Sequence, residues 1–267
     1  VTSEQRVVAA LLRTRKYADL APELLSWAAR DALARGSSER SAVDLARRKL
    51  HQVCGAFVDA AARKRVLRAL GAASEASSDD AWREALDDAL RAHASTAERA
   101  ADHGALWRAI LERTGPVHSV LDLGCGLHPL TLPWSGLDPE VVVEGWDLDA
   151  VLCRAVQESL SSRWTHVSVH AGDVRGRTDW AVVDLALLLK LAPTLEHEQA
   201  GATVDLVRRL RARRLVLSWP TRTLGGHRRA PDAEVERTAR SVVAAAGRSG
   251  DYLRIGTELV AVVEGGS

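Results

Sequence analysis

The residues best able to do chemistry in this sequence stand at Val120-Leu-Asp-Leu-Gly-Cys-Gly126, where an apolar run ends in two glycines around a single residue. The pattern describes a buried strand passing into a tight turn that faces a ligand. Glycine accepts positive φ, and without a Cβ it lets a ligand approach the backbone. In an open α/β sheet, the turn at a strand's carboxyl end is where nucleotide-like ligands bind. A second apolar segment, Val141-Val-Val-Glu-Gly-Trp146, ends in Asp147. That is about twenty residues beyond the turn, the spacing at which a carboxylate accepts ribose hydroxyls. A third, Val167-Ser-Val-His-Ala-Gly172, ends in Asp173, a polar group suited to an adenine edge. Arg99 lies in a helix expected to precede the first strand and offers a cation for a ligand carboxylate. A dinucleotide site is disfavoured, because GxGxxG needs another glycine where Pro129 stands. Asp149 reads as a helix N-cap.

Positioning these residues requires strands that alternate with helices. Apolar, often β-branched runs fall at 119–123, 141–146, 166–171, 181–189, 214–219 and 258–263, with helical stretches between most of them. Such alternation predicts a mostly parallel sheet with helices on both faces. The N-terminal part reads as helices alone. Ser3 can cap a helix with Val7, Val8, Leu11 and Leu12 on one face, and Pro22 opens another that Gly36 stops. Ser41 opens a third, and a further face runs through Phe57, Val58, Val66, Leu67 and Leu70. Gly71 to Asp80 reads as a linker. The expected division is a basic helical domain at 1–75, a helical connector at 76–105 and a ligand-binding domain at 106–267.

The Asp-x-Gly-x-Gly turn resembles motif I of the S-adenosylmethionine methyltransferases, and Asp147, Asp173 and Arg99 follow the order such a site requires. A closer resemblance runs over nearly the whole chain. It is carried by Lys49-Leu-His-Gln-Val-Cys-Gly-Ala-Phe57, His93-Ala-Ser-Thr-Ala-Glu-Arg99 and Gly124-Cys-Gly-Leu-His-Pro-Leu130 with Pro133-Trp134. Leu189-Lys-Leu-Ala-Pro-Thr-Leu-Glu196 with Glu198-Gln-Ala-Gly201, and Leu217-Ser-Trp-Pro-Thr-Arg-Thr-Leu-Gly-Gly226, complete it. These segments resemble the Arm/Rmt family, the aminoglycoside-resistance methyltransferases that modify N7 of a guanine in the decoding region of 16S ribosomal RNA. The block after the glycine turn is its most specific part, because Pro129 and Pro133 prevent the regular helix most such enzymes have there. Three departures stand out. His128 occupies a position where the family usually has Asn, Ala100 follows the Glu-Arg pair where Leu is usual, and His227-Arg-Arg-Ala-Pro231 replaces a Gly-Met-containing loop.

The resemblance implies a Rossmann-like S-adenosylmethionine domain of the seven-stranded type, preceded by a small helical domain. It implies a cofactor set of Arg99, Gly124, Cys125, Gly126, Asp147, Leu148, Asp173, Val174, Lys190 and Gln199. Glu98, beside Arg99, reads either as orienting that guanidinium or as a plain helix salt bridge. It implies an RNA-contacting set of Arg47, Arg48, Lys49, Arg63, Lys64, Arg65, Arg222 and Trp219, the last able to stack on a base. No catalytic acid or base is expected, since guanine N7 carries a lone pair and no proton. Cys125 and Cys153 read as packing residues rather than nucleophiles. The assembled 30S subunit is the expected partner. The domain from about 76 onward is expected to bind cofactor by itself.

Charge supports a polyanionic partner. Residues 1–70 carry 14 Lys and Arg against 7 Asp and Glu, whereas residues 71–150 carry 5 against 15. A basic N-terminal part beside an acidic segment suits docking on nucleic acid. A methyltransferase of a small molecule, or an RNA-binding protein with a vestigial cofactor pocket, are the competing readings. No apolar run reaches membrane-spanning length, no signal-peptide pattern opens the chain, and the three cysteines show neither CxxC nor zinc spacing. A cytoplasmic setting without metal is expected.

Overall fold

The computed structural model describes residues 1–36, 38–54, 60–221 and 231–266. Arg222, residues 227–230 of the divergent loop, and the Phe57–Val58 part of the expected helix face lie outside the described residues. The chain opens with α1 (Ser3–Leu12), α2 (Arg15–Ala18), α3 (Pro22–Arg35) and α4 (Glu39–Cys54). Thr2, rather than Ser3, caps α1. Its side chain accepts from the Gln5 N–H while the Gln5 side chain returns a bond to the Thr2 N–H, forming a capping box. Pro22 starts α3 and Gly36 follows its last turn, as the sequence predicts. Val7, Leu11, Leu24, Leu25, Ala28, Ala46 and Leu50 close this bundle around its own core.

Next come α5 (Ala60–Glu75), α6 (Asp79–Ala92), α7 (Ala94–Ala97) and α8 (Ala105–Thr114). The expected linker at 71–80 is mostly helix: α5 runs to Glu75, and the Ser78 side chain caps α6. The buried apolar residues of helix α5 belong to a different core from that of the N-terminal bundle. Val66, Leu70 and Ala73 of α5 join Trp82, Leu86 and Leu90 of α6 in the core that covers one face of the sheet. The bundle's core is not closed off from the sheet, since Leu148, just after β2, packs against it.

The sheet is built from β1 (Ser119–Leu123), β2 (Val142–Asp147), β3 (Val167–Ala171), β4 (Val183–Leu189), β5 (Ala212–Pro220), β6 (Gly250–Ile255) and β7 (Glu258–Glu264). Helix α9 (Ala150–Leu160) joins β2 to β3, α10 (Leu191–Glu198) and α11 (Ala202–Arg209) join β4 to β5, and α12 (Asp232–Ala245) precedes β6. The strand order is β3-β2-β1-β4-β5-β7-β6. Strands β1 to β5 are parallel, and β7 runs antiparallel to both β5 and β6. This is the expected Rossmann-like arrangement. Strand β6 is the one the sequence did not announce. It is an edge strand, no residue of it fully buried, so it needs no continuous apolar run. Helices α5, α6, α8 and α9 cover one face, and α10, α11 and α12 cover the other. Strand β1 lies between β2 and β4, so its carboxyl end is the switch point where the connections diverge.

Trp82 fastens α6 to α9, its indole Nε1 donating to the Ser159 carbonyl at 2.7 Å inside the core. Trp82→Ala should lower unfolding free energy by about 3–5 kcal/mol, the range for deleting a buried aromatic side chain. The drop in the denaturant midpoint measures it.

Candidate active site

At the carboxyl end of β1 the chain turns through Gly124 (φ 66°) and Gly126 (φ 49°). Both conformations favour glycine, and a Cβ on Gly124 would stand 2.9 Å from the Leu191 side chain. The Gly126 N–H donates to Asp147 Oδ2 at 3.0 Å, and the Asp149 N–H donates to Asp147 Oδ1 at 3.1 Å. These bonds hold the carboxylate at the end of β2 beside the glycine turn. Burial pushes the Asp147 carboxyl above its ordinary range, the neighbouring Asp149 adds to that, and the backbone N–H bonds oppose it. Asp149 caps α9 through the Leu152 N–H at 2.9 Å, as expected.

A cavity opens over this turn. Gly124, Cys125, Gly126, Asp147, Leu148, Asp173, Val174, Arg99 and Lys190 all line it, so nine of the ten residues expected to hold a cofactor converge. The tenth, Gln199, is exposed and does not line it. Glu198, one residue earlier in the chain, lines it instead, because it is the last residue of α10 and Gln199 already leaves the helix.

Arg99 enters from the loop after α7. Its guanidinium grips Glu258 of β7 in a fork, Nε to Oε1 at 2.8 Å and Nη2 to Oε2 at 2.6 Å. Sequence reasoning paired Arg99 with Glu98. The structure gives Glu98 to Lys190 Nζ at 2.9 Å, and Glu258, only 3 % exposed, to Arg99. Nothing in the sequence marked Glu258, which opens a strand whose next five residues are apolar. Ser218 Oγ donates to Glu258 Oε2 at 2.8 Å, and Lys190 Nζ lies 3.4 Å from Oε1. Burial raises the Glu258 carboxyl, but the charges and hydrogen bonds of Arg99 and the charge of Lys190 outweigh it and hold the carboxyl low. Lys190 is the only non-glycine residue with positive φ among the described residues, at 58°. Its N–H donates to Ser218 Oγ at 2.9 Å and its Nζ donates to the Ser95 carbonyl at 2.9 Å, which hold the left-handed conformation in place.

Behind the turn, His128 Nδ1 lies 2.7 Å from Asp122 Oδ2, and its ring stacks on Trp107 with centroids 5.0 Å apart. Both residues are buried, and His128 Nε2 and Asp122 Oδ1 have no hydrogen-bond partner among the described residues. His128 begins a 3₁₀ segment that runs to Trp134 and contains Pro129 and Pro133, in place of a regular helix. His93 also lines the cavity. Burial and the Lys190 charge lower its proton affinity, against the opposing charge of Asp149. Neither cysteine suits nucleophilic work. Burial pushes the Cys125 thiol far up and the Cys153 thiol to about 12.

The surface residues divide. Arg47, Arg48, Lys64 and Arg65 are exposed. Lys49 turns inward to Asp31, with N···O 2.7 Å, and lies over the Trp27 ring at 4.0 Å. Arg63 also turns inward, to Asp149 at 2.9 Å and Asp19 at 3.0 Å. Trp219, expected to stack on a base, is 4 % exposed and packs in the core on the side of the sheet covered by α10, α11 and α12, because alternate residues of β5 face that side. It offers no face to RNA.

The ribosomal RNA methyltransferase family FmrO matches residues 13–262. The chain belongs to this family. It is 34% identical over 231 residues to the 16S rRNA (guanine(1405)-N(7))-methyltransferase of Micromonospora olivasterospora, spanning 85% of this chain and 78% of that one. It is 31% identical over 254 residues to the enzyme of the same name from Serratia marcescens, spanning 95% of each. Among solved structures, the 16S rRNA methyltransferase RmtF in complex with S-adenosyl-L-homocysteine superposes with a TM-score of 0.83 at 33% identity, covering 100% of this chain and 99% of that one. The 16S rRNA methylase RmtB superposes with a TM-score of 0.81 at 27% identity, covering 98% of each. The FmrO match begins after α1 and takes in α2–α4 as well as nearly all of the sheet.

Glu258→Ala would leave the Arg99 and Lys190 charges buried without their shared carboxylate. It should destabilise the fold by about 3–5 kcal/mol, the cost of removing one partner of a buried ion pair. Denaturant unfolding checks this, and an unfolding free energy within about 1 kcal/mol of the native chain would contradict the assigned burial.

Proposed function

We propose that this protein methylates N7 of one guanine in the decoding region of 16S rRNA, with S-adenosyl-L-methionine as methyl donor and the assembled 30S subunit as substrate. The product would exclude aminoglycosides of the kanamycin and gentamicin type. The observation that carries the reading is the convergence of the glycine turn, Asp147 and the Arg99–Glu258 pair on one cavity, in a chain matched along its length by enzymes named for that reaction.

The cavity fits an adenosyl sulfonium ligand. Its floor lacks Cβ atoms where the turn needs close approach, and the buried Nε2 of His128, which lines it, has no partner among the described residues. Asp147 would accept the ribose hydroxyls. Asp173 and the Val174 backbone would meet the adenine, although the Asp173 carboxylate already binds Arg175 Nε at 2.8 Å and keeps only its remaining lone pairs. Arg99 uses Nε and Nη2 on Glu258, which leaves Nη1 for the methionine carboxylate. S-adenosyl-L-methionine supplies an electrophilic methyl on a good leaving group. Guanine N7 supplies a lone pair and no proton, so the protein must place and desolvate the reactants rather than move a proton. The high thiols of Cys125 and Cys153 agree with a site that uses no nucleophile of its own. Arg47, Arg48, Lys64 and Arg65, which are exposed, would meet rRNA phosphates, and the target base would be read flipped out of its stack.

Incubating 30S subunits with the protein and methyl donor, then mapping 16S rRNA by mass, tests the reaction. One added methyl on a decoding-region guanine is expected, and unmodified 16S rRNA would overturn the reading. Asp147→Ala should weaken cofactor binding by about 1.5–3 kcal/mol, the worth of a charge-assisted hydrogen bond, read by calorimetry. Because ribose recognition uses the carboxylate and the free protein holds that carboxyl above its ordinary range, affinity should be full at neutral pH. It should decline on acidification earlier than an unperturbed aspartate would allow. Asp147→Asn should remove that decline. Affinity for 30S, but not for cofactor, should fall steeply with salt as counterions are released. Charge reversal at Arg47, Arg48, Lys64 and Arg65 should flatten that slope.

A further inference from the structure

The N-terminal bundle closes one side of the cofactor cavity. Leu20, between α2 and α3, lines it and is only 8 % exposed. The backbone around Leu20 is joined to the loop after the ribose-facing Asp147. The Ala21 N–H donates to the Leu148 carbonyl and the Ala150 N–H donates to the Asp19 carbonyl, each at 2.8 Å, making an isolated antiparallel bridge between Leu20 and Asp149. Arg63, from α5, staples both sides of this bridge. Its guanidinium forks onto Asp149, with Nε to Oδ2 at 3.1 Å and Nη2 to Oδ1 at 2.9 Å, and its Nη2 also reaches Asp19 at 3.0 Å. Asp149 in turn donates its N–H to Asp147.

A second fastening stands at the end of β3. Arg175 follows Asp173 and binds it through Nε and Nη2, while its Nη1 reaches Glu198 at 2.5 Å. The same guanidinium lies 3.7 Å from the centroid of Trp27 in α3. Lys49 of α4 lies over that indole at 4.0 Å. A cation packed against an indole face is attracted by the ring quadrupole, more so when partly desolvated. Arg175 therefore links the adenine-side carboxylates to α3.

We propose that Arg63 and Arg175 are positioning residues that fasten the N-terminal bundle over the adenosine end of the cavity, so that cofactor affinity depends on how that bundle is seated. The inference rests on the S-adenosylmethionine reading of the cavity. It reverses the expectation that Arg63 and Lys49 belong to the RNA surface and that the chain from about 76 onward suffices for the cofactor. It also gives the bundle a second role beside docking. If the bundle shifts when it meets rRNA, cofactor affinity must change, and reciprocally bound cofactor must change the affinity for rRNA.

The test uses the full-length chain with S-adenosyl-L-homocysteine as probe. Calorimetric affinity is measured for the native protein and for Arg63→Ala, Arg63→Lys and Arg175→Ala, with denaturant unfolding of each in parallel. Arg63→Ala and Arg175→Ala should each weaken the probe by about tenfold, the scale of one lost charge-assisted contact. Arg63→Lys should recover only part, since an ammonium cannot fork onto Asp149 while also holding Asp19. In the methylation assay, the KM for methyl donor should rise while kcat and the KM for 30S stay near native values. Reduced stability with native probe affinity would overturn the proposal and leave Arg63 a scaffold residue. A raised KM for 30S with native probe affinity would return Arg63 to the RNA surface. Native probe binding without methylation of 30S would count against the substrate reading alone, since the affinity comparison needs no ribosome.

Discussion

The fork between Arg99 and Glu258 ties the two ends of the methyltransferase body together. Arg99 precedes the first strand and Glu258 opens the last, yet their charged groups meet within 2.6 Å at the carboxyl ends of the strands. Lys190, held in a left-handed conformation at the end of β4, adds a second cation, and Glu98 adds a second carboxylate. An isolated buried charge costs several kcal/mol, so such a cluster persists only if each member finds its partner. That requirement fixes α7, β4 and β7 relative to one another. It also leaves one guanidinium edge of Arg99 unspent at the cavity, which is how a structural ion pair can double as the receptor for a ligand carboxylate.

Around this anchor the floor and the rim of the cavity are built differently. The floor is backbone: two positive-φ glycines and the N–H of Gly126 aimed at Asp147. The rim towards α1–α4 is made of charged side chains, Arg63 of α5 and Arg175 after β3, that reach across to the separately packed helices. Arg63 spans Asp19 and Asp149, and Arg175 spans Trp27, Asp173 and Glu198. A floor of backbone is rigid because the sheet holds it. A rim of ion pairs and a cation–π contact is weaker per contact and more responsive to salt, so the N-terminal bundle is the part whose seating can vary without unfolding the sheet.

Much of the fold and of the lining of the cavity was legible in the sequence, for local reasons. The glycine turn, the acid after β2 and the N-cap at Asp149 each follow from residues a few positions apart, and strand–helix alternation dictates which end of the sheet they share. Pro129 and Pro133 announced the irregular segment after the turn because proline cannot occupy the interior of a regular helix. What escaped was nonlocal. Glu258 has no sequence signal because its partner is in a different part of the chain and its neighbours are apolar. Glu98 was the expected partner of Arg99 because adjacency suggested it, whereas in the turn after α7 Glu98 reaches Lys190 and Arg99 reaches Glu258 in a distant strand. Trp219 was misplaced because a strand-end aromatic next to a site reads the same whether it faces the cavity or the core. Strand β6 escaped because a half-exposed edge strand needs no apolar run.

The basic N-terminal charge illustrates how a correct bulk property can mislead at single residues. A net excess of cations in residues 1–70 says that the region suits a polyanion, but it does not say which cations are free. Arg63 lies on the same helix as Lys64 and Arg65. Successive helical residues point about 100° apart, so one faces the body and its neighbours face solvent. The acids nearest the cavity, Asp19, Asp149, Asp173 and Glu198, take their counterions from Arg63 and Arg175. Fewer cations are free to meet solvent than the charge count implies; on α4 and α5 the exposed ones include Arg47, Arg48, Lys64 and Arg65. The inward cations do a different job, neutralising carboxylates that a cofactor cavity needs but could not otherwise gather so close together.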